Sequence, residues 1–299
     1  MGLPHRALEL RKEHAGGVAE ARGGMLSLVG TPIGNLDDAS ARMLTTLKNA
    51  DLLLCEDTRV TSKLLARFDI RVSLMRCDQN VIASRVEGVC RRVEEGERVA
   101  FVSDAGMPGI SDPGQQLVDA ALDRGLPVEV IPGPSAMTCA LVASGLAIDH
   151  FFFEGFVPRK AGARERRLRE LVPIPGALVL YESPRRVSAT LDSIAVVMPE
   201  RRVALVRELT KLHEEVVRDV APELARRIAE GPEVRGECVI VVEGPSSDAP
   251  IAPQCLLDEA IAEGLSSGEP KSRLAKRLAK EYALPRAQVY EQILAFGSK

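Results

Sequence analysis

In this 299-residue chain, charged and turn-forming side chains gather directly after short apolar runs. The densest case is Ser103-Asp104-Ala105-Gly106-Met107-Pro108-Gly109, followed by Ser111-Asp112-Pro113-Gly114. Glycine permits positive φ and proline locks φ, so this stretch follows an unusual backbone path. A second such loop is Gly30-Thr31-Pro32-Ile33-Gly34-Asn35-Leu36-Asp37, and a third is Pro132-Gly133-Pro134-Ser135-Ala136. Pro134 or Ser135 opens a helix whose free N–H groups can receive a carboxylate or a hydroxyl. A tetrad of a different kind, Glu56-Asp57-Thr58-Arg59, ends another apolar run. Asp57 or Thr58 can cap a helix there, but Arg59 adds a cation that capping does not need, which favours a ligand or substrate role.

These loops need strands to hold them. Residues 26–30, 51–55, 99–102 and 127–131 are apolar and β-prone, and each is followed by a helical pattern. The helices are expected at about 40–49, 58–68, 115–123 and 136–144, with a polar helix over 81–96. Four strand–helix repeats make an open α/β domain. Its three turn-rich loops then converge at the carboxyl edge of the sheet, where such folds bind ligands. The loops match neither GxGxxG nor GxxxxGK[ST], which disfavours a dinucleotide fingerprint and a P-loop.

A boundary is expected near residues 145–149. Beyond it, 151–156 holds four of the seven phenylalanines, read either as a core strand or as a stacking platform for a base. Residues 159–169 carry six basic side chains against one acid. That density favours phosphate contact over a merely solvated helix face. Strands at 177–181, 202–206 and 237–243 and helices after 186 and over 221–230 make a second α/β domain. Charged residues again follow its strands: Glu182-Ser183-Pro184-Arg185-Arg186 and Arg207-Glu208-Leu209-Thr210-Lys211. Residues 244–253 read as a linker. Three short helices follow at about 254–263, 271–282 and 286–296, with seven basic and two acidic residues over 271–299. This tail reads as a small helix-turn-helix module, or else as a solubilising appendage.

Composition narrows the class. Hydrophobic residues make up 45%, aromatics 3%, and there is no Trp, so the core is aliphatic, as suits helix-covered sheets. A net charge of −3 excludes a generic polyanion binder. Cys55, Cys77, Cys90, Cys139, Cys238 and Cys255 form no CxxC pair and are expected as reduced thiols in a cytosolic protein. His5, His14, His150 and His213 lack metal-site spacing, so no metal is expected. No apolar run reaches 18 residues, so no membrane span is expected. Residues 1–24 read as a loose extension, with Met25 near the start of the folded part.

The motifs GTPIGNLDD, CEDTRVTSKLL, SDAGMPGISDPG, IPGPSA, FFFEGFVPRK, YESPRR and VRELTKLHEE occur in that order. Together they resemble the small-subunit ribosomal RNA (cytidine-2′-O)-methyltransferases, within the tetrapyrrole-methylase-like superfamily of S-adenosylmethionine enzymes. The resemblance covers about residues 25–244 and the helical tail. The extension over 1–24 departs from it.

The resemblance implies two α/β domains, 25–147 and 148–244, with the cofactor cleft between them, and a helical module over 252–299. It implies a cytoplasmic homodimer acting on small-subunit ribosomal RNA or on the small subunit. Carried over by motif, donor contacts come from Gly30, Thr31, Asp104, Ala105, Gly106, Met107, Ser135, Ala136 and Tyr181. The donor's ribose hydroxyls need an acceptor such as Asp104. An attacking 2′-hydroxyl must lose its proton, and Glu56, Asp57, Glu182, Glu208 and Lys211 stay open as the base. Arg59, Arg186 and Arg207 suit bidentate phosphate contacts, and Arg159, Lys160, Arg166, Arg167, Lys276 and Arg277 extend the RNA footprint. Two rivals remain: a tetrapyrrole C-methyltransferase on the same fold, and a non-catalytic RNA-binding adaptor.

Overall fold

The computed structural model describes residues 23–110, 113–245, 254–282 and 284–296. The extension over 1–22, Ser111 and Asp112, and the linker over 246–253 lie outside the described residues, as does the side chain of Cys255.

The chain forms two compact units. The first holds β1 (Met25–Val29), α1 (Ala41–Asn49), β2 (Leu52–Cys55), α2 (Thr58–Arg67) and β3 (Ser73–Arg76). It continues with α3 (Ile82–Glu94), β4 (Arg98–Val102), α4 (Gln115–Asp123) and β5 (Val128–Ile131). All five strands are parallel, in the order β3-β2-β4-β1-β5. β2 is buried at every position, and β1 and β4 are buried at all but their first residue. That is why they read as apolar runs rather than alternating ones. One face of the sheet, through Leu26, Leu28, Leu52, Leu54, Val99 and Phe101, packs on Ile82, Val89, Val93, Leu117 and Ala121 of α3 and α4. Sequence reasoning missed β3. It is a four-residue edge strand with no fully buried position, so it lacks the apolar run that marks its neighbours.

The second unit contains α5 (Ala136–Ser144), β6 (Phe151–Phe156), α6 (Ala161–Leu171), β7 (Ala177–Glu182), α7 (Val187–Val197) and β8 (Arg202–Arg207). It then adds β9 (Glu215–Val220), α8 (Ala221–Glu230) and β10 (Cys238–Val242). Its sheet runs β6-β7-β10-β8-β9; β6 and β7 are parallel, and the other pairs are antiparallel. The faces alternate with period two. Leu178, Leu180, Val203, Leu205, Ile240 and Val242 join the core with α6, α7 and α8. Val179, Ala204, Val206, Val239 and Val241 join Ala140 and Leu141 of α5.

The chain divides at Pro132 rather than near the expected 145–149, because α5 buries Ala140 and Leu141 on the second sheet. Residues 31–39 and 105–107 also belong to the second unit. β9 was not expected either. It is an edge strand with charged residues at three of its six positions.

The tail folds as anticipated into α9 (Gln254–Ser266), α10 (Lys271–Glu281) and α11 (Arg286–Phe296). They share a core of Leu257, Ile261, Leu274, Leu278, Val289 and Ile293. Among the described residues no helix is long and apolar enough to cross a membrane.

Candidate functional site

The order β4-β1-β5 sets the ends of three parallel strands side by side. The chain leaves them at Ser103, Gly30 and Pro132, the starts of the three turn-rich loops. Within the second unit, the first two loops are tied together by reciprocal backbone bonds. Thr31 N–H donates to Gly106 O at 2.9 Å, and Gly106 N–H donates to Thr31 O at 3.1 Å. Gly106 has φ of +79°, and a Cβ there would lie 3.3 Å from Ile33 Cγ2 and 3.5 Å from Pro134 O. Glycine is required both for the backbone angle and for the close approach. The third loop joins through Gly133 N–H, which donates to Met107 Sδ at 3.3 Å. Thr31 is 2% exposed, yet its Oγ1 has no hydrogen-bond partner among the described residues. Ser135 precedes α5 without a side-chain capping bond, leaving first-turn N–H groups of that helix uncapped by a side chain.

The first unit contributes an acidic cluster at the ends of β2 and β4. Asp57 N–H donates to Asp104 Oδ1 at 3.1 Å, and Asp104 N–H donates to Glu56 Oε1 at 3.2 Å. Burial, reinforced by the Asp57 charge, pushes the Asp104 carboxyl above its ordinary value against the Asp57 N–H and the Arg59 guanidinium. Asp57 goes the other way. It caps α2 by accepting from Arg59 N–H at 2.8 Å and pairs with the Arg59 guanidinium at 2.6 Å, which together hold it at about 2. The Arg59 side chain is 87% exposed in that pair.

The other candidate bases are committed to internal contacts. Glu182, the last residue of β7, has a fully buried carboxylate. It accepts from Ser183 N–H at 2.8 Å and Thr190 Oγ1 at 2.7 Å and pairs with Arg186 at 3.2 Å. Glu208 and Lys211 pair at 2.8 Å, and Lys211 also reaches Glu237 at 2.9 Å. The Lys211 hydrogen bond draws the Glu208 carboxyl below its usual range. Burial works against the Lys211 ammonium, but its two carboxylate partners outweigh that and raise it.

The basic residues divide. Arg59, Arg167, Arg186, Arg207 and Arg277 are each ion-paired, with Asp57, Glu154, Glu182, Glu215 and Glu269 respectively. Arg159, Lys160, Arg166 and Lys276 are exposed and carry no ion pair among the described residues. Arg164, counted in the basic run, is 6% exposed and donates to Ser193 Oγ and Arg159 O, so it holds α6 in place. The phenylalanine run is an edge strand with both ends open. Phe151 and Phe156 are exposed, while Tyr181 meets Phe153 and Phe156 edge-to-face at 4.9 and 6.0 Å.

Sequence reasoning missed Thr210 and Asn35. The Thr210 hydroxyl accepts from Asn35 N–H at 3.0 Å, linking the β8–β9 connection to the loop after β1. A β-branched residue at φ of +64° carries no sequence signal for that conformation. Cys55, Cys77, Cys90, Cys139 and Cys238 are free thiols, and the described residues hold no cluster that could bind a metal ion.

Comparison with known proteins places this architecture. Residues 25–225 match the family model of tetrapyrrole (corrin/porphyrin) methylases. A ribosomal RNA small subunit methyltransferase I of Mycobacterium bovis is 41% identical over 91% of this chain and 95% of its own. The same-named protein of Streptococcus pyogenes serotype M1 is 38% identical over 90% and 94%. Among solved structures, uroporphyrin-III C-methyltransferase from Thermus thermophilus is similar at a TM-score of 0.54, with 22% identity over 74% of this chain and 94% of that one. Diphthine synthase is similar at 0.55, with 16% identity over 74% and 90%. These two likenesses establish the fold alone, whereas the model match and the identity along nine-tenths of the chain establish kinship. The chain belongs to the tetrapyrrole (corrin/porphyrin) methylase family and, within it, groups with the ribosomal RNA small subunit methyltransferase I proteins.

Proposed function

We propose that this protein methylates small-subunit ribosomal RNA, transferring the methyl of S-adenosylmethionine to the ribose 2′-hydroxyl of a cytidine. The observation that carries the reading is the 37–41% identity to relatives named for that RNA, spread over about nine-tenths of the chain. The cytidine and the 2′-oxygen rest on the motif resemblance.

The residues present suit the donor. A buried hydroxyl at Thr31 without a partner among the described residues asks for a ligand atom. The Gly106 backbone lies where a side chain would obstruct, and the start of α5, which the Ser135 side chain does not cap, suits a carboxylate. In this reading Gly30, Thr31, Ala105, Gly106, Met107, Ser135, Ala136 and Tyr181 contact the donor, and Asp104 accepts from its ribose hydroxyls. Uroporphyrin-III C-methyltransferase from Thermus thermophilus, similar in fold at a TM-score of 0.52 and 20% identity, has been solved in complex with S-adenosyl homocysteine.

When bound, the donor supplies a methyl already activated by a sulfonium. The protein's task is therefore alignment of the 2′-hydroxyl and removal of its proton. Asp57, Glu182, Glu208 and Lys211 are engaged in cap, brace and strut contacts. Glu56, which accepts from Asp104 N–H, stands beside the proposed ribose acceptor and is the candidate base on that ground. Arg159, Lys160, Arg166 and Lys276, which carry no ion pair among the described residues, are the cations assigned to RNA phosphates. The resemblance also supports a homodimer, which light scattering of the purified chain checks.

The experiment is transfer of labelled methyl from S-adenosylmethionine to small subunits lacking the modification. Label on a cytidine ribose of the small-subunit RNA upholds the reading. Donor binding without transfer to RNA overturns the substrate, and label on a tetrapyrrole carbon supports the C-methyltransferase rival. Absence of donor binding supports the adaptor.

A further inference from the structure

The connection between β8 and β9 is the most strained stretch of described backbone. Among the described residues, three non-glycine residues have positive φ, and two of them, Glu208 at +52° and Thr210 at +64°, lie here. Each such residue costs roughly 1–3 kcal/mol and persists only where its surroundings over-determine it.

The surroundings do so. Glu208 N–H donates to Glu237 O at 3.0 Å, while Glu208 Oε1 accepts from Glu237 N–H at 3.0 Å and Lys211 Nζ at 2.8 Å. Lys211 N–H donates to Glu208 O at 3.0 Å, and Glu214 N–H to Lys211 O at 3.1 Å. Thr210 N–H donates to Glu214 Oε2 at 2.6 Å. Gly236 makes the arrangement possible, because a Cβ there would sit 2.2 Å from Glu208 Cδ.

The loop after β1 rests on this turn. At Gly34 a Cβ would meet Lys211 Cγ at 2.6 Å, Thr210 Oγ1 at 2.7 Å and Leu209 O at 2.9 Å. The next residue, Asn35, donates its N–H to Thr210 Oγ1. The loop is thus pinned at Thr31 by Gly106 and at Asn35 by Thr210, with the unpartnered Thr31 hydroxyl at its near end.

We propose that the turn over residues 208–214 positions the methyl-donor loop, acting through the Thr210 hydroxyl on Asn35. Thr210 is a positioning residue that touches neither donor nor RNA. Glu208 and Lys211 are its struts rather than the general base. The inference rests on the donor reading above.

The test separates strain from the hydrogen bond. Thr210→Gly accepts the left-handed conformation freely but removes the hydroxyl; Thr210→Ser keeps the hydroxyl. Calorimetry on the full chain with S-adenosylhomocysteine reads the effect. The glycine variant is expected to unfold at the wild-type temperature yet bind about fivefold more weakly, the scale of one lost hydrogen bond. The serine variant is expected within about twofold of wild type, on the same scale, and KM for RNA is unchanged in both. A glycine variant that binds like wild type overturns the inference, as does a serine variant as weak as glycine. Failure of the wild-type chain to bind S-adenosylhomocysteine overturns the donor reading itself, a separate and recognisable outcome.

Discussion

Glu182 tests whether a carboxylate at a strand end is there for chemistry or for the fold. Its side chain is fully buried, and its two oxygens meet Ser183 N–H, the Thr190 hydroxyl and the Arg186 guanidinium. Thr190 is itself fully buried, and Arg186 also donates to Val157 O at 2.6 Å, so the carboxylate closes a network joining β7, α7 and the end of β6. Glu182→Ala orphans the buried hydroxyl and strips the cation of its partner. Breaking a buried pair from one side costs about 3–5 kcal/mol. Against a total of about 5–15 kcal/mol, that variant leaves little margin. Glu182→Gln is the usable probe. The amide keeps the volume, its oxygen can accept from Ser183, and the Thr190 hydroxyl can rotate to accept from its nitrogen. What is lost is the Arg186 bond, because the amide nitrogen then faces the guanidinium where Oε2 accepted from it, about 1.5–3 kcal/mol. Urea unfolding should show a lower midpoint with an unchanged slope, and turnover on small-subunit RNA should stay within about threefold of wild type. A glutamine variant that unfolds like wild type but loses a hundredfold or more in turnover would refute this and return Glu182 to the role of base.

Three further outcomes are expected. Gly106→Ala places a methyl 3.3 Å from Ile33 at φ of +79° and should cost about 1–2 kcal/mol of stability and weaken donor binding; unchanged affinity would separate the Thr31–Gly106 tie from the donor site. Replacing Arg159, Lys160 and Arg166 by Ala should lower the salt slope of RNA binding by about two to three, whereas Arg164→Leu should lower stability and leave that slope unchanged. Donor affinity should fall on acidification from a pH above the ordinary aspartate value, because the Asp104 carboxyl is raised, and Asp104→Asn should flatten the profile with about tenfold weaker binding at neutral pH.

The two acids of that cluster act on stability with opposite sign. Asp57, held at about 2, stabilises the fold above its unfolded value of 3.8, and the contribution is lost as pH falls through about 2. Asp104, raised above 3.8, subtracts stability at neutral pH, and the deficit shrinks as pH falls through its folded value. A carboxylate kept charged at a cost to the fold is what a ligand acceptor requires, while one stabilised by cap and guanidinium needs no ligand to explain it.

What was legible in the sequence follows from burial. β1, β2, β4, β7, β8 and β10 are largely buried, so their apolar runs announce them. β3 and β9 are edge strands with solvent on one side, and Ser73, Arg76, Glu215 and Arg218 erase the pattern. The glycine loops were legible because turn chemistry is local. The fate of the basic run was not. Arg167 finds Glu154 thirteen residues away across α6 and β6, and Arg277 finds Glu269 across the turn before α10. Charge density is a property of the sequence, whereas the charge left for a partner is what remains after tertiary pairing. That remainder, four of the nine cations assigned to RNA, is the smaller footprint the salt dependence should report.

The failures of local reasoning also cluster. The missed strand β9, the two left-handed residues Glu208 and Thr210, and the unforeseen Thr210–Asn35 bond all fall in or beside residues 207–220. Outside that stretch and the edge strand β3, propensity, patterning and turn chemistry agree with the structure, as expected of a chain whose levels are consistent. A β-branched residue forced into left-handed backbone, with a glycine against its hydroxyl at 34 to make room, contradicts its own propensity. Glycine would relieve that backbone conformation. The threonine offers one thing glycine cannot, a hydroxyl aimed at Asn35, and that exchange of backbone comfort for a single hydrogen bond is intelligible if the loop it holds must be fixed for the reaction.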